Sequence, residues 1–328
     1  MGGNIFENAR RINKLEYDTM CNDILEKLYG ISDKYAIIPS YRSKQDFGDI
    51  DVIISCNSVE DRLHLFGMID TIFKPDETSQ NSHVLSILYH NVQIDFITIE
   101  PYFYDFCYHY FSFNDMSNFI GIIFKKLGGL KFGQSGLTYM MRLNDYLIDE
   151  VIISTSFQAA IEFIGLDYDR YLLGFDDMNE VFEFISTSKY FNTNLYPLEH
   201  RNNKSRVRDR KRPNYHKLLE WCKTYTGPQY EFKDPGQYLD LLFEVFPIGK
   251  TRMLSAWLDY GRKCTMKTRF NGKMVSDLTG LQGKELGQFI QYIKDEIGNG
   301  FEEWVLQSTN IDHWIKQTFE YYKNGPTE

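Results

Sequence analysis

Residues 40–54 have the sequence SYRSKQDFGDIDVII, in which two aspartates stand at the start of an apolar run. Side chains alternate between the two faces of a β-strand, so a strand over residues 50–55 places Asp49 and Asp51 on one face. Two carboxylates this close repel each other unless a cation lies between them. The pattern therefore predicts a site for a divalent metal ion with oxygen ligands, with Mg²⁺ as the preferred ion.

A third carboxylate interrupts an apolar strand later in the chain. Residues 84–89 and 92–99 are predicted to be strands, because both are apolar and the two-residue gap between them is typical of a hairpin. Asp95 is the lone charge in the second strand, VQIDFITI. In an antiparallel sheet Asp95 would lie beside Asp49 and Asp51, and these three residues are the predicted catalytic and metal-binding set. An isolated Asp-x-Asp is more often a solvated turn, so the interpretation depends on all three carboxylates.

Composition narrows the class of protein. The chain has 328 residues, of which 43% are hydrophobic and 25% charged, as in a globular protein of about two domains, and disordered and collagen-like classes are excluded. No apolar run approaches the roughly 18 residues of a membrane span, and the first residues do not read as a signal peptide, so we expect a cytoplasmic protein. The five cysteines form no Cys-x-x-Cys pair, and we expect free thiols and no disulfide-linked partner.

Positive charge is concentrated in residues 201–212 (RNNKSRVRDRKR), which contain seven Lys or Arg and one Asp. The net charge of −9 argues against a protein that coats nucleic acid, but this run leaves about −15 for the rest of the chain. Such a cluster can contact nucleic-acid phosphates, and an exposed, solvated loop is the alternative. The predicted nucleic-acid-binding residues are Arg201, Lys204, Arg206, Arg208, Arg210, Lys211 and Arg212.

Helical and strand periodicity predict an α+β fold. A helix over residues 14–29 and a short strand over residues 35–38 come before the strand of the two aspartates. The predicted segments are a small mixed or antiparallel sheet flanked by helices (1–100), a helical lobe rich in aromatic residues (101–190), a basic connection (191–213) and a mostly α-helical C-terminal domain (214–328).

The strand, turn and Asp-x-Asp of the first segment resemble the nucleotidyltransferase signature of the DNA polymerase beta superfamily, and most closely that of the family X polymerases. In that family a turn reading Gly-Ser-Phe/Tyr-Arg-Arg-Gly precedes Gly-Asp-x-Asp. Residues 40–42 (SYR) and 48–51 (GDID) match these elements, whereas Pro39 replaces the first glycine and the turn is about one residue shorter.

The resemblance covers the palm and thumb of the family, over about residues 35–172. Residues 110–114 (YFSFN) are similar to the Tyr-Phe and Phe-Asn elements at the palm-to-thumb junction. Residues 129–137 (GLKFGQSGL) resemble the thumb segment Gly-Leu-Lys-Leu-x-x-x-Gly-Leu, and residues 161–168 resemble the closing helix. Several matches in one order are more specific than the first match alone.

The chain also departs from the family X pattern. Ser112 alone stands in place of the Thr-Gly-Ser turn, so the choice between ribose and deoxyribose stays open. Asn118 and Phe119 stand where the family has an arginine on the template side, so dependence on a template stays open as well. About 35 residues precede the first predicted strand, too few for the lyase and helix-hairpin-helix modules of cellular repair polymerases.

The resemblance implies a metal-dependent nucleotidyltransferase that transfers NMP or dNMP from a nucleoside triphosphate to a 3'-hydroxyl of DNA or RNA. It implies two Mg²⁺ ions, with Mn²⁺ as an alternative, of which Asp49 and Asp51 bridge both and Asp95 holds one. Ser40 and Arg42 match the triphosphate-binding turn, and Lys44 is a weaker candidate with a solvent-facing lysine as its alternative. The implied nucleotide-binding residues are Ser40, Arg42, Lys44, Gly48, Tyr110, Phe111 and Asn114.

Other functions remain open at this stage. Residues 277–290 (DLTGLQGKELGQFI) are similar to a tail element of tRNA CCA-adding enzymes, with Gln282 at the position of a proline. A glycine-punctuated helix start is the structural alternative for this stretch. The further alternatives are an RNA 3'-end nucleotidyltransferase of the CCA-adding or RNA-repair type, an enzyme that nucleotidylates a small molecule or protein, and an inactive binding module. The short polymerase-like organisation would suit a phage or viral genome.

Overall fold

The computed structural model describes residues 5–144 and 146–324, and the chain divides into two compact units, Met1–Lys250 and Thr251–Glu328. The first unit combines sheets and helices, so the α+β prediction is confirmed at this level. In the described part of the chain, no helix is both long enough and apolar enough to cross a membrane.

The first hundred residues are built around a mixed five-stranded sheet. The strands are β1 (Ile12–Asn13), β2 (Tyr35–Ile37), β3 (Asp46–Phe47), β4 (Asp49–Ser55), β5 (Glu77–Gln80), β6 (Val84–Tyr89) and β7 (Val92–Ile99), and the helices are α1 (Lys14–Leu28) and α2 (Val59–Phe73). The sheet order is β2-β4-β7-β6-β5, while β1 and β3 pair separately. The strands on either side of His90 and Asn91 have the predicted bounds, and these two residues have φ values of 51° and 60°, as in a tight hairpin turn.

The two strands that carry the aspartates run parallel, whereas the sequence analysis placed them in an antiparallel sheet. That expectation was wrong because β4 and β7 are not joined by a hairpin. The chain leaves β4, forms α2 and then β5 and β6, and returns into β7 in the direction of β4. A crossover of this length is what parallel pairing requires.

Alternation along β4 separates the core from the site. Ile50, Val52 and Ile54 are fully buried against the apolar faces of α1 and α2. On the opposite face Ile53 packs with Tyr104 of α3 (Tyr104–Phe111). The two aspartates lie on that same face, at the start of the strand and beyond its apolar cover.

Residues 101–250 contain helices and a second sheet. The helices after α3 are α4 (Met116–Lys126), α5 (Phe157–Phe163), α6 (Tyr168–Leu172), α7 (Met178–Ser186), α8 (Asn203–Asp209), α9 (Pro213–Thr224) and α10 (Pro235–Val245). The strands are β8 (Leu130–Gly133), β9 (Gly136–Leu143) and β10 (Tyr146–Ser154), which form an antiparallel sheet in the order β10-β9-β8. The ring of Tyr215 in α9 packs beside Phe119 in α4, so α9 belongs to the first unit although the C-terminal domain was predicted to begin at residue 214.

The prediction of a wholly helical lobe over residues 101–190 was therefore wrong for β8 to β10. Gly133 and Gly136 pair with each other at the turn of the β8–β9 hairpin. Gly136 has a φ of 119°, and a Cβ atom there would lie 2.4 Å from the carbonyl oxygen of Ser154. Only glycine fits this close approach of two strands.

The second unit is helical, as predicted for the end of the chain. After α11 (Pro247–Arg269), which crosses the division between the units, come α12 (Gly272–Thr279), α13 (Gly283–Ile297), α14 (Phe301–Gln307) and α15 (Ile311–Asn324). Val275, Phe289 and Ile315 are fully buried in its core. The stretch that resembles the CCA-enzyme tail spans the α12–α13 break, where Gly280 and Gly283 have positive φ.

Candidate metal centre and nucleotide site

Three carboxylates converge on one point of the sheet. Asp49, Asp51 and Asp95 can each place one carboxylate oxygen so that all three lie within 4.8 Å of one another. Asp51 is the direct neighbour of Asp95 in the parallel register, and Asp49 is opposite Gln93. Within residues 5–144 and 146–324, no other group of three His, Cys, Asp or Glu residues lies this close. This oxygen donor set fits a hard divalent cation such as Mg²⁺.

The electrostatics of the site also favour a cation. Burial, and then the carboxylates of Asp49 and Asp95, raise the pKa of Asp51 to about 8, against a smaller opposing effect of Lys44. Burial raises the pKa of Asp95 as well. A bound divalent cation would offset both the burial and the repulsion among the three groups.

Gln93 holds Asp95 in place, and the sequence analysis missed it. Its Nε2 donates to both carboxylate oxygens of Asp95 at 2.9 and 3.0 Å, while its Oε1 accepts from the Ile5 backbone at 3.0 Å. Gln93 is only 2% exposed. A buried glutamine two positions before a strand aspartate lies on the same face, and that spacing was the available signal.

Asp51 is expected to make the stability of the metal-free protein depend on pH. Its pKa rises from 3.8 to about 8 on folding, so the folded state holds this proton more tightly and stability falls as the pH rises across that interval. Asp51→Asn removes this term and should raise the melting temperature in EDTA, by roughly 2–4 °C for each kcal/mol gained. The gain should be larger at about pH 8.5 than at about pH 5.5. Thermal unfolding of both proteins tests this, and equal gains at the two pH values would contradict it.

Lys44 is half-buried and lies near the carboxylates of Asp49 and Asp51. Burial lowers the pKa of Lys44, and the neighbouring Asp49 and Asp51 oppose that shift. Its ammonium group lies 4.6 Å from the centre of the Phe47 ring, which stacks in turn on Tyr17. Gly48, between this lysine and the aspartates, is buried in the bend that leads into β4.

The structure also brings together two residues of the expected nucleotide site that are 74 positions apart. Ser40 Oγ donates to Asn114 Oδ1 at 2.6 Å, and the Phe113 backbone N–H donates to the Pro39 carbonyl at 2.8 Å. The turn between α3 and α4 therefore lies against the turn that precedes β4.

Phe113 and Asn114 adopt a left-handed backbone, with φ values of 58° and 62°. This conformation is unfavourable for a bulky aromatic residue and costs on the order of 1–3 kcal/mol. Packing of the Phe113 ring on Tyr171 and Phe175 holds it. The strained turn leaves Asn114 exposed next to Ser40.

Arg42 is held by the connection between α6 and α7. Its guanidinium forms an ion pair with Asp176 and donates to the Leu173 carbonyl at 2.8 Å. The backbone N–H groups of Arg42 and Ser43 donate to the carbonyls of Phe175 and Asp176 at 2.9 and 2.8 Å. These contacts fix the turn while more than half of the Arg42 side chain stays exposed.

The aromatic pair of α3 separates into two environments. Phe111 packs with the apolar residues around Ile53 on the α3 face of the sheet. Burial raises the pKa of Tyr110, and the positive charges of Arg208 and Arg212 oppose that shift. Tyr110 therefore lies towards the basic run of residues 201–212, and Phe111 has a packing role.

The basic run is not one uniform surface. Arg201 and Arg208 both form ion pairs with the fully buried carboxylate of Asp209, at 3.2 and 2.8 Å, and Arg212 pairs with Asp115. The remaining members of the run point outward or lie half-buried: Lys204, Arg206, Arg210 and Lys211.

A guanidinium group reaches α4 from another helix. Arg208 Nη2 donates to Asn118 Oδ1 at 2.5 Å. Arg208 of α8 thus places its positive charge beside Asn118 of α4.

No protein-family model and no curated protein matches the chain. Among solved structures, the ternary P/T complex of polymerase beta from Leishmania infantum is similar, with 18% sequence identity and a TM-score of 0.34. The match covers 41% of this chain and 60% of the polymerase chain. The site is therefore assigned from its own geometry.

Proposed function

We propose that this chain is a metal-dependent nucleotidyltransferase that transfers NMP or dNMP from a nucleoside triphosphate to a nucleic-acid 3'-hydroxyl. The convergence of Asp49, Asp51 and Asp95 within 4.8 Å is the observation that carries the proposal. Phosphoryl transfer depends mainly on positioning and on neutralisation of negative charge, and three carboxylates beside a phosphate-binding turn meet both requirements.

The aspartates would hold two Mg²⁺ ions, or Mn²⁺, which lower the pKa of an attacking hydroxyl and neutralise charge on the transferred phosphate. Asp49 and Asp51, adjacent on one strand face, would bind both ions. Asp95, on the neighbouring strand, would bind one and would be oriented by Gln93.

The residues around the carboxylates would bind the nucleotide. Ser40 can rotate its hydroxyl from Asn114 towards a phosphate oxygen, and the exposed Arg42 can bind a second phosphate oxygen. Lys44, between this turn and the aspartates, would add a positive charge near the phosphates. Asn114 would then be free to contact the base.

Gln93→Leu is expected to lower turnover by about 10-fold or more, because Asp95 loses both hydrogen bonds from the Gln93 side chain. The rate should also require a higher Mg²⁺ concentration to reach half its maximum. A titration of Mg²⁺ in a nucleotide-transfer assay measures both effects. Gln80→Leu, at an exposed position of the same sheet, is the control, and an equal Mg²⁺ requirement in the two variants would exclude a positioning role for Gln93.

The acceptor can be a polymer or a small molecule, and the basic residues around α8 favour a polymer. Labelled nucleoside triphosphates, both ribo and deoxyribo, incubated with DNA, RNA or no polymer identify the acceptor class. We expect label on a nucleic-acid 3'-end. Label on a small molecule or on protein would instead support an enzyme that nucleotidylates such an acceptor. Addition restricted to tRNA would favour the CCA-adding type.

A further inference from the structure

A cavity of about 330 Å³ lies in the first unit between α4, the β8–β9 hairpin and the basic run of residues 201–212. None of the described residues that line it is acidic. Its cationic lining residues are Lys125, Lys131, Arg142, Arg201 and Arg208. They come from distant parts of the sequence, so that only the fold brings their charges together.

One buried acidic group is shared by two of these cations. Asp209 accepts from both Arg201 and Arg208, so that one carboxylate serves two guanidinium groups. The Arg201 side chain is only 9% exposed and Asp209 is fully buried. A buried arginine held in this way is a fixed part of the cavity wall.

The remaining cations are crowded. Lys131 pairs with Glu150 at 2.8 Å. Burial, and then the guanidinium groups of Arg201 and Arg142, lower the pKa of Lys125. Like charges gathered this closely are unfavourable unless an anion lies among them.

Two neutral donors in the cavity wall have no acceptor among the described residues. Ser117 is 3% exposed, and its Oγ has no hydrogen-bond partner in the described chain. Asn118 accepts from Arg208 through Oδ1, which leaves its buried Nδ2 without a described partner. Buried donors are normally paired, and an unpaired one costs about 1–3 kcal/mol. Both donors therefore point to a ligand rich in acceptor oxygens.

We propose that this cavity binds a backbone phosphate of a nucleic-acid strand. Ser117 and Asn118 donate to its oxygens, and Lys125 and Arg142 supply the opposite charge. The choice of a polymer as the ligand rests on the proposed function. The exposed cations that continue along α8 support this choice, because a nucleic-acid strand has further phosphates to neutralise and a free phosphate does not.

The test compares two double variants that each remove two positive charges. Lys125→Gln/Arg142→Gln changes the cavity, and Lys74→Gln/Lys217→Gln removes two exposed lysines outside residues 201–212. Labelled single strands of DNA and RNA of about 15 nucleotides are bound in EDTA, so that the carboxylate site is not needed. The cavity variant should lose affinity by about 10-fold or more and the control by less than about 3-fold. The slope of log affinity against log salt should fall by about 0.7 in the cavity variant, as expected for one lost phosphate contact.

Ser117→Ala separates ligand binding from stability. It should weaken binding by about 3-fold or more, because one donor to the phosphate is lost. Its melting temperature should equal or exceed that of the wild type, since the unpaired hydroxyl is removed from the interior. Wild-type affinity in this variant, or equal losses in the two double variants, would overturn the proposal.

Two further measurements are needed. One tells a strand phosphate from a free phosphate, and the other separates a failure of this inference from a failure of the proposed function. Millimolar pyrophosphate or inorganic phosphate should not displace the strand from the wild-type protein. If either anion displaces the strand from the wild type but not from the cavity variant, the cavity binds a free phosphate instead. A wild-type protein that binds strands through the cavity but transfers no nucleotide would contradict the proposed function alone. Transfer of nucleotides with unchanged strand binding by the cavity variant would contradict this inference alone.

Discussion

Asp51→Asn should abolish nucleotide transfer, with a loss of turnover of at least about 10³-fold, or roughly 4 kcal/mol of transition-state stabilisation. Asp51 is the register neighbour of Asp95 and lies two positions from Asp49, and a neutral amide at this position removes one negative ligand from the metal site. The carboxamide has nearly the shape of the carboxylate, so the strand geometry is preserved. Steady-state turnover at saturating Mg²⁺ measures the effect.

Asp46→Asn is the matched control for this substitution. Asp46 is an exposed aspartate of β3 that pairs with Arg11 at 2.7 Å, outside the cluster. This variant should keep turnover within about 2-fold of the wild type, because exposed ion pairs contribute little. Magnesium-dependent turnover that survives in Asp51→Asn would remove the catalytic role of the cluster and favour a binding module.

Gly136→Ala should destabilise the first unit by about 3 kcal/mol or more. Alanine would have to adopt a φ of 119°, and its Cβ would lie 2.4 Å from the Ser154 carbonyl oxygen. Backbone strain and a clash with backbone atoms then act together, and neither can be relieved by rotation of a side chain. Equilibrium unfolding in urea measures the loss.

Gly133→Ala, in the same hairpin, is the control for this prediction. A Cβ at Gly133 would meet only the Lys131 side chain, at 3.6 Å. The expected change is below about 1 kcal/mol. Similar losses for the two alanine variants would show that the close approach of β9 to the end of β10 does not set the stability of this sheet.

The part of the site that depends on local pattern was predictable. Alternation along one strand was enough to place Asp49 and Asp51 on the same face. The lone charge of Asp95 in an apolar strand identified the third member, and the hairpin of β6 and β7 was predicted with its bounds because two apolar runs flank a two-residue gap. Each of these inferences uses only a short run of consecutive residues, of which the hairpin over residues 84–99 is the longest.

The rest depends on contacts between distant segments, which local patterns do not contain. The direction of β4 relative to β7 is set by the crossover between them, not by either strand. The strands β8 to β10 were missed because the requirement for Gly136 arises from Ser154, eighteen positions away. The division of the basic run was hidden because Arg201 and Arg208 share Asp209, whose complete burial is a property of the fold.

The central claim is that three aspartates from two neighbouring strands hold divalent cations beside a phosphate-binding turn. A crystal grown with Mn²⁺ and a non-hydrolysable nucleoside triphosphate tests it directly through the anomalous signal of the metal. The account predicts two peaks, both bound by Asp49 and Asp51 and one also by Asp95, with the triphosphate next to Ser40 and Arg42. Absence of metal among the three carboxylates, or Asp95 turned away from the other two, would contradict it.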